Sequence, residues 1–356
     1  MTAFIIDEVS IPADLTQPGS SDFIDALEVG NAVEAIGYGT TEMSYEPAEE
    51  LPLFLSPHEP KRMLVARVDG RLVGRGIYET QTGDAADSAW LVVQVLPQFR
   101  GLGIGTALAE AVEALAASEG RKKALVYTPI ASVGGEQLTA PTGFGSISAN
   151  HPDTRFLLDR GYRLEQVERA SRLALPVEGL ATRVADAERV SGSDFALHYW
   201  KGPTPERWRE DIAHLATRMS TDAPSAGLEE PEDVWSVERV IEADERHDRL
   251  NPRRRVVAAV EHLPTGRLVG FTVLSVPRQS HRAVGQYATL VLREHRGHRL
   301  GMLLKVANLA HLERVAPGHP SVITFNAEEN RHMLDVNEAV GFVPLSNESA
   351  WRKNLA

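Results

Sequence analysis

The sequence predicts an α/β (α+β) protein of two tandem domains, residues 1–175 and 176–356, and three observations carry that reading. The chain has 356 residues, more than one ordinary hydrophobic core serves. A strand–turn–strand–strand–loop–helix–strand order occurs twice. The two copies also share a phrase in register: Arg71-Leu72-Val73-Gly74 and Arg267-Leu268-Val269-Gly270 are identical. The interval from each phrase to a loop arginine is 29 positions in both, from Arg71 to Arg100 and from Arg267 to Arg296.

In the first copy, 61–68 reads as a strand and Asp69-Gly70 as a tight turn, because Asp-Gly tolerates the positive φ a hairpin needs. The return strand covers 72–78, and a third strand, 89–95, stops at Pro97. A glycine loop then leads into a helix in which Leu108, Val112 and Leu115 recur at helical spacing. Gly120 ends that helix and 123–127 starts another strand. The second copy repeats the order with strands at 255–260 and 267–273, a third strand at 287–292, a loop at 295–301, a helix at 302–309 and a strand at 322–325. Each copy closes on Gly-aromatic, Gly161-Tyr162 and Gly341-Phe342. The boundary falls near Leu175-Pro176. The copies differ in two places: a Gly-rich insertion runs from Ser132 to Ser146, and the second copy has a long front end from Asp194 to Leu250.

Hydrophobic residues make up 43% and charged residues 24%, an ordinary globular balance that argues against disorder. Cysteine is absent, which excludes disulfides, thiolate metal sites and a cysteine nucleophile. The net charge of −12 comes with no basic face, so no nucleic-acid partner is expected. The acidic balance favours a cationic amine over an anionic substrate. The first residues lack a signal-peptide pattern and no apolar run exceeds strand length, so a cytoplasmic protein without a membrane partner is expected.

The segment Val95-Leu96-Pro97-Gln98-Phe99-Arg100-Gly101-Leu102-Gly103-Ile104-Gly105-Thr106 places a glycine turn between a strand and a helix. Glycines let backbone approach a ligand, and first-turn amides at a positive helix end suit a diphosphate. A dinucleotide fingerprint needs a glycine where Thr106 stands, and a phosphate-binding Walker loop needs a lysine that does not follow. Arg-Gly-x-Gly-x-Gly after Val-x-Pro resembles motif A of the GNAT superfamily, the acyl-CoA-dependent N-acyltransferases, and the repeat resembles bacterial tandem-GNAT proteins.

The resemblance implies two GNAT domains, each a mixed, mostly antiparallel twisted sheet flanked by helices. It implies acetyl-CoA or another acyl-CoA as co-substrate, no metal, and a small-molecule or peptide amine as acceptor, in a monomer or homodimer. By position, Val95 would meet the pantetheine arm, and Arg100, Gly101, Gly103, Ile104, Gly105 and Thr106 would hold the pyrophosphate. In the second copy Val291, Arg296, Gly297, His298, Arg299, Leu300, Gly301 and Met302 correspond, with Arg299 where a glycine is usual, and Asn330 matches the family's asparagine. His295 and His298 form a His-x-x-His turn without a carboxylate set, a weak zinc pattern.

The resemblance also places a tyrosine, which protonates the departing thiolate, four positions before Gly-aromatic. Leu157 and Asn337 stand there. Direct attack by an amine needs a base and oxyanion donors. Gln286 and Asn337 are the polar candidates and Glu328 the acidic one, although Glu328 also reads as an ordinary acid at a helix start. His198, Tyr38 and Tyr45 are further candidates. The second copy is favoured as the catalytic one. Acyl-CoA binding without turnover, as a regulatory module or pseudo-enzyme, stays open.

Overall fold

The structure, a computed structural model, describes residues 3–17, 19–82, 87–131, 134–222, 224–229 and 232–355. The first half contains β1 (Ile5–Val9), α1 (Ser20–Tyr38), α2 (Pro47–Phe54), β2 (Lys61–Val68), β3 (Arg71–Thr80), β4 (Ser88–Val95), α3 (Ile104–Ser118), β5 (Lys123–Ile130), a small hairpin of β6 (Gln137–Thr139) and β7 (Ser146–Ser148), α4 (Pro152–Asp159) and β8 (Arg163–Ala174). A connecting helix, α5 (Leu180–Ser191), leads to the second half. There follow β9 (Phe195–Lys201), α6 (Arg209–Asp222), α7 (Val237–Leu250), β10 (Arg254–His262), β11 (Arg267–Val276), β12 (Val284–Val291), α8 (Leu300–Val315), β13 (Ser321–Ala327), α9 (Arg331–Val340) and β14 (Val343–Asn354).

Most boundaries agree with the sequence reading. The Asp69-Gly70 turn has φ of 48° and 78°, as a two-residue hairpin requires. The strand expected at 287–292 instead occupies Val284–Val291 and contains a bulge. Val273 pairs with Ala288 and Leu274 with Gln286, so Tyr287 is the extra residue and turns outward, 59% exposed. The Ser132–Ser146 insertion folds in part as the β6–β7 hairpin, while Ser132 and Val133 lie outside the described residues.

The strands form one twelve-stranded sheet in the order β1-β2-β3-β4-β5-β14-β8-β13-β12-β11-β10-β9. Most pairings are antiparallel; β4–β5 and β12–β13 are parallel. The last strand of each repeat is exchanged. β14, from the end of the chain, pairs with β5 of the first half, and β8 pairs with β13 of the second. β14 and β8 pair with each other at the centre. Trp351 on β14 is fully buried in the first half's core, and Leu173 on β8 belongs to the second half's core.

Helices cover both faces. A Cβ on Gly74 or Gly76 of β3 would meet Leu108 or Val112 of α3, whereas the intervening Arg75 reaches Gly30 of α1. So α1 and α3 lie on opposite faces, as the alternation of a strand demands. In the second half Gly270 likewise faces Leu304 of α8. α2 touches α7, which puts the helices that precede each repeat's central strands on the same face. The halves are joined there by a buried ion cluster, in which Glu49 of α2 holds Arg282 at 2.6 Å and Arg253 at 3.4 Å.

Candidate active site

The parallel pairs in each half are short, and that is what opens a site. β4 and β5 pair only from Ser88↔Lys123 to Trp90↔Leu125. Beyond that point Leu91–Val95 and Val126–Pro129 no longer pair, and these residues border a cavity of about 920 Å³. At one end the cavity meets the glycine loop, including Arg100, Gly101, Gly103, Gly105 and Thr106.

The loop's geometry follows from its glycines. Gly101 and Gly103 have φ of 77° and 86°, and nothing lies within 4 Å of where a Cβ would sit. Gly103 is the N-cap of α3 and no side chain caps the helix, so its first amides stay available to an anion. Arg100 Nε donates to the Val95 carbonyl at 3.0 Å, which fixes the loop against the end of β4. These features fit a pyrophosphate: an uncapped helix start, open backbone and a cation at its lip.

The other end of the cavity carries side chains from both repeats. Glu34 and Tyr38 come from α1, Tyr45 from the following loop, Gln286 and Tyr287 from β12, Phe325 from β13 and Glu348 from β14. Glu348 reaches the first half's cavity only because β14 is exchanged; it stands opposite Pro129 of β5. Its Oε1 accepts from Tyr38 Oη at 2.8 Å. A minor part of its surface is exposed, toward the cavity, yet dense surrounding protein desolvates the carboxylate. Burial, helped by the charge of Glu34 and opposed by the Tyr38 hydrogen bond, pushes it up from 4.5 to about 7. Burial and the neighbouring Glu348 charge in turn raise Tyr38. Glu34 is differently placed: it accepts from Gln94 Nε2 at 3.0 Å, and Gln94 Oε1 accepts from the buried Arg75 at 2.6 Å.

The candidates from the sequence separate. Gln286 borders the cavity, but its Nε2 is committed to Thr272 Oγ1 at 2.9 Å and to the Val273 and Ala288 carbonyls. Asn337 is buried away from the cavity and donates to Asn326 Oδ1 at 2.6 Å. Glu328 holds Arg169 through both oxygens at 2.8 Å and is likewise off the cavity. The three are not brought together. Asn330 caps α9, its Oδ1 accepting from Met333 N at 3.3 Å. His198 pairs with Glu261 at 2.6 Å on the outer strand β9. Leu157 borders the cavity where a tyrosine was expected.

The second loop repeats the first in outline. Arg296 Nε donates to the Val291 carbonyl at 3.1 Å, and Gly297 has φ of 92°. Two features differ. Arg299 adopts φ 54° at the N-cap of α8, a left-handed conformation that costs a side-chain-bearing residue about 1–2 kcal/mol. The carboxylate of Asp222, at the end of α6 and 1% exposed, sits against Arg296 at 3.0 Å and Arg293 at 3.2 Å and also pairs with Arg218. Asp222 thus holds two arginines of this loop tightly, whereas Arg100 of the first loop has a looser pair with Asp153, at 3.8 Å. His298 packs against Phe195, and His295 against Phe195 and His262. Leu300, Gly301 and Met302 form the first turn of α8. Among the described residues no group of His, Cys, Asp and Glu has a metal-binding arrangement.

Residues 32–132 match the model of the acetyltransferase (GNAT) family, a segment that contains the divergent strand pair and the glycine loop. The chain carries a GNAT domain and has the tandem GNAT fold. A tandem GNAT protein from the clavulanic acid biosynthesis pathway is similar over 99% of both chains, with a TM-score of 0.74 and 22% identity. A GCN5-related N-acetyltransferase from Sphaerobacter thermophilus is similar over 99% of this chain and 96% of that one, with a TM-score of 0.63 and 13% identity. Among curated proteins no sequence matches. Within the GNAT frame, Glu348 is the residue that sequence reasoning missed. Its one local signal is a lone acid inside the strand Ser346-Asn347-Glu348-Ser349-Ala350-Trp351, where Ser346, Ser349, Ala350 and Trp351 are buried.

Proposed function

We propose that the protein is an acyl-CoA-dependent N-acetyltransferase, that its reacting site lies in the first half, and that Glu348 is the general base. One observation carries this reading: a carboxylate with a pKa near 7 faces the same cavity as an open, uncapped glycine loop. Acetyl-CoA supplies the thioester carbonyl. Arg100, Gly101, Gly103, Gly105 and Thr106 bind its pyrophosphate, and the free edge of β4 up to Val95 binds the arm. The divergence of β4 from β5 orients the thioester toward the inner chamber. Glu34 and Glu348 attract the ammonium of the acceptor. Glu348 takes its proton, and Tyr38 holds the carboxylate in place, so the neutral amine attacks the thioester carbonyl directly; the C–S bond then breaks, and the departing CoA thiolate takes the second proton from the attached nitrogen to leave as the thiol, without a covalent intermediate on the protein.

In this reading 1–175 and 176–356 are the two GNAT units, each completed by the other's last strand. The second unit supplies the base and one wall, and the Asp222 clamp leaves it without a second acyl-CoA site. The test is thiol release from acetyl-CoA with a panel of small amines and peptides, alongside calorimetry with acetyl-CoA. Turnover with one acetyl-CoA per chain is expected. Tight binding without thiol release from any acceptor would favour a binding module, the reading that Leu157 in the tyrosine's place supports.

A further inference from the structure

A second cavity of about 450 Å³ lies between the second half's sheet and helices α6 and α7. Its wall is mostly apolar, with Trp200, Ile212, Met219, Val257, Phe271 and Trp235 contributing. The acids at its rim are already committed. Asp244 accepts from Thr204 N at 2.7 Å and pairs with Arg255, and Asp233 accepts from Trp235 Nε1 at 2.8 Å and pairs with Arg239. What the space lacks is an apolar occupant.

This cavity adjoins the acceptor chamber. Tyr287 borders both, and both lie on the face covered by α1, α2, α6 and α7. Tyr287 is the bulged residue of β12, so its ring leaves the sheet between the two spaces. A Cβ on Gly285 would lie 3.1 Å from the Tyr287 ring, so this glycine leaves the ring room. There Tyr45 Oη meets Tyr287 Oη at 3.3 Å.

We propose that the second half's cavity is a subsite for the apolar body of the acceptor amine. The inference rests on the reading that amines are acylated beside Glu348. The ammonium sits at the Glu348 end of the chamber, and the body passes the Tyr45–Tyr287 pair into the space under α6 and α7. The acyl carbonyl must meet the amine beside Glu348, so the group that continues past the tyrosines belongs to the acceptor. The substrate class is therefore a primary amine on an alkyl or aryl body, rather than a polyhydroxylated or polycationic amine.

The experiment measures thiol release by the full chain from acetyl-CoA with n-alkylamines from propyl to octyl. It is repeated with acyl-CoAs from acetyl to octanoyl on propylamine. Each methylene that enters the subsite should raise kcat/KM about fourfold, the factor expected for burying one CH₂. Ala216→Phe and Ala243→Phe fill the cavity from α6 and α7, and each should flatten the amine series while leaving propylamine turnover unchanged. Affinities of propylamine and octylamine by calorimetry, in the presence of CoA, read the subsite without turnover. A flat amine series overturns the proposal and leaves the acyltransferase reading intact; so does a slope that both filled variants preserve, or one that follows acyl length instead. If no amine releases thiol, but octylamine binds more tightly and the filled variants erase the difference, the subsite stands and the acyltransferase reading falls.

Discussion

Replacing Glu348 by Gln tests the base assignment through activity and stability at once. The native carboxyl titrates near 7, against an ordinary 4.5. Below 4.5 both folded and unfolded chains hold the proton. Between 4.5 and about 7 only the folded chain does, so folding becomes less favourable as pH rises through this window. Above about 7 the native state carries the full cost of an ionised, desolvated carboxylate. The gap between 4.5 and 7, at about 1.4 kcal/mol per pH unit, makes that cost about 3 kcal/mol. Glu348→Gln keeps an acceptor for Tyr38 and removes the charge. It should gain up to about 3 kcal/mol over wild type between pH 4 and pH 8, read by denaturant unfolding at each pH. Its activity should move the other way. Wild-type kcat/KM should climb to a plateau above about pH 7, and the variant should lose about 10²- to 10⁴-fold with no such limb. A variant within tenfold of wild type that keeps the limb would refute the assignment. So would a stability difference that does not change with pH.

Other perturbations separate the parts of the site. Tyr38→Phe removes the hydrogen bond that lowers Glu348, so the activity limb should move to higher pH, visible in a kcat/KM profile. Gly103→Asp puts a carboxylate in the open loop and should abolish acetyl-CoA binding in calorimetry, whereas Gly301→Asp at the clamped second loop should leave it unchanged. Gly37→Ala would place a Cβ 2.6 Å from Pro129 Cγ and force α1 away from β5; a loss of about 1–3 kcal/mol is expected in urea unfolding. Residues 1–175 expressed alone lack β14, Trp351 and Glu348, so they should be unstable and inactive, while co-expression with 176–356 should restore soluble, active protein.

The loop at Arg100–Thr106 was legible because everything that defines it is local. Positive φ at Gly101 and Gly103, a strand end and an uncapped helix start all fall within a dozen residues. The Asp69-Gly70 hairpin and the repeat were legible for the same reason. Glu348 was not, because its meaning depends on which strand β14 joins, and no motif near it encodes a pairing with β5, more than 200 positions away. Preference for the second half came from local features too. Asn337 and Glu328 look catalytic in sequence, but they are committed to Asn326 and Arg169, partners that only the folded sheet supplies. The bulge at Tyr287 was invisible because one extra residue in a strand leaves hydrophobic content unchanged and alters only alternation.

The two repeats also differ in the helix that follows each loop. Ala109 and Val112 of α3 border the first cavity. Their counterparts 196 positions later are Lys305 and Asn308 of α8, and both are buried. The lysine is far longer than the alanine it matches in the repeat, and the Asn308 amide donates to the Val256 and Thr272 carbonyls of β10 and β11. Burial pushes Lys305 down to about 7, and its amine lies 5.6 Å from the Phe342 ring centroid, a costly placement for an ammonium group. Arg299 and Asp222 set the second loop apart from the first as well. What the second half contributes to the cavity is positional: β14 delivers Glu348, β12 delivers Tyr287, and Arg253 and Arg282 bind Glu49 and so join the two halves. β14 thus brings to the first half both a strand of its sheet and Glu348, the base proposed above.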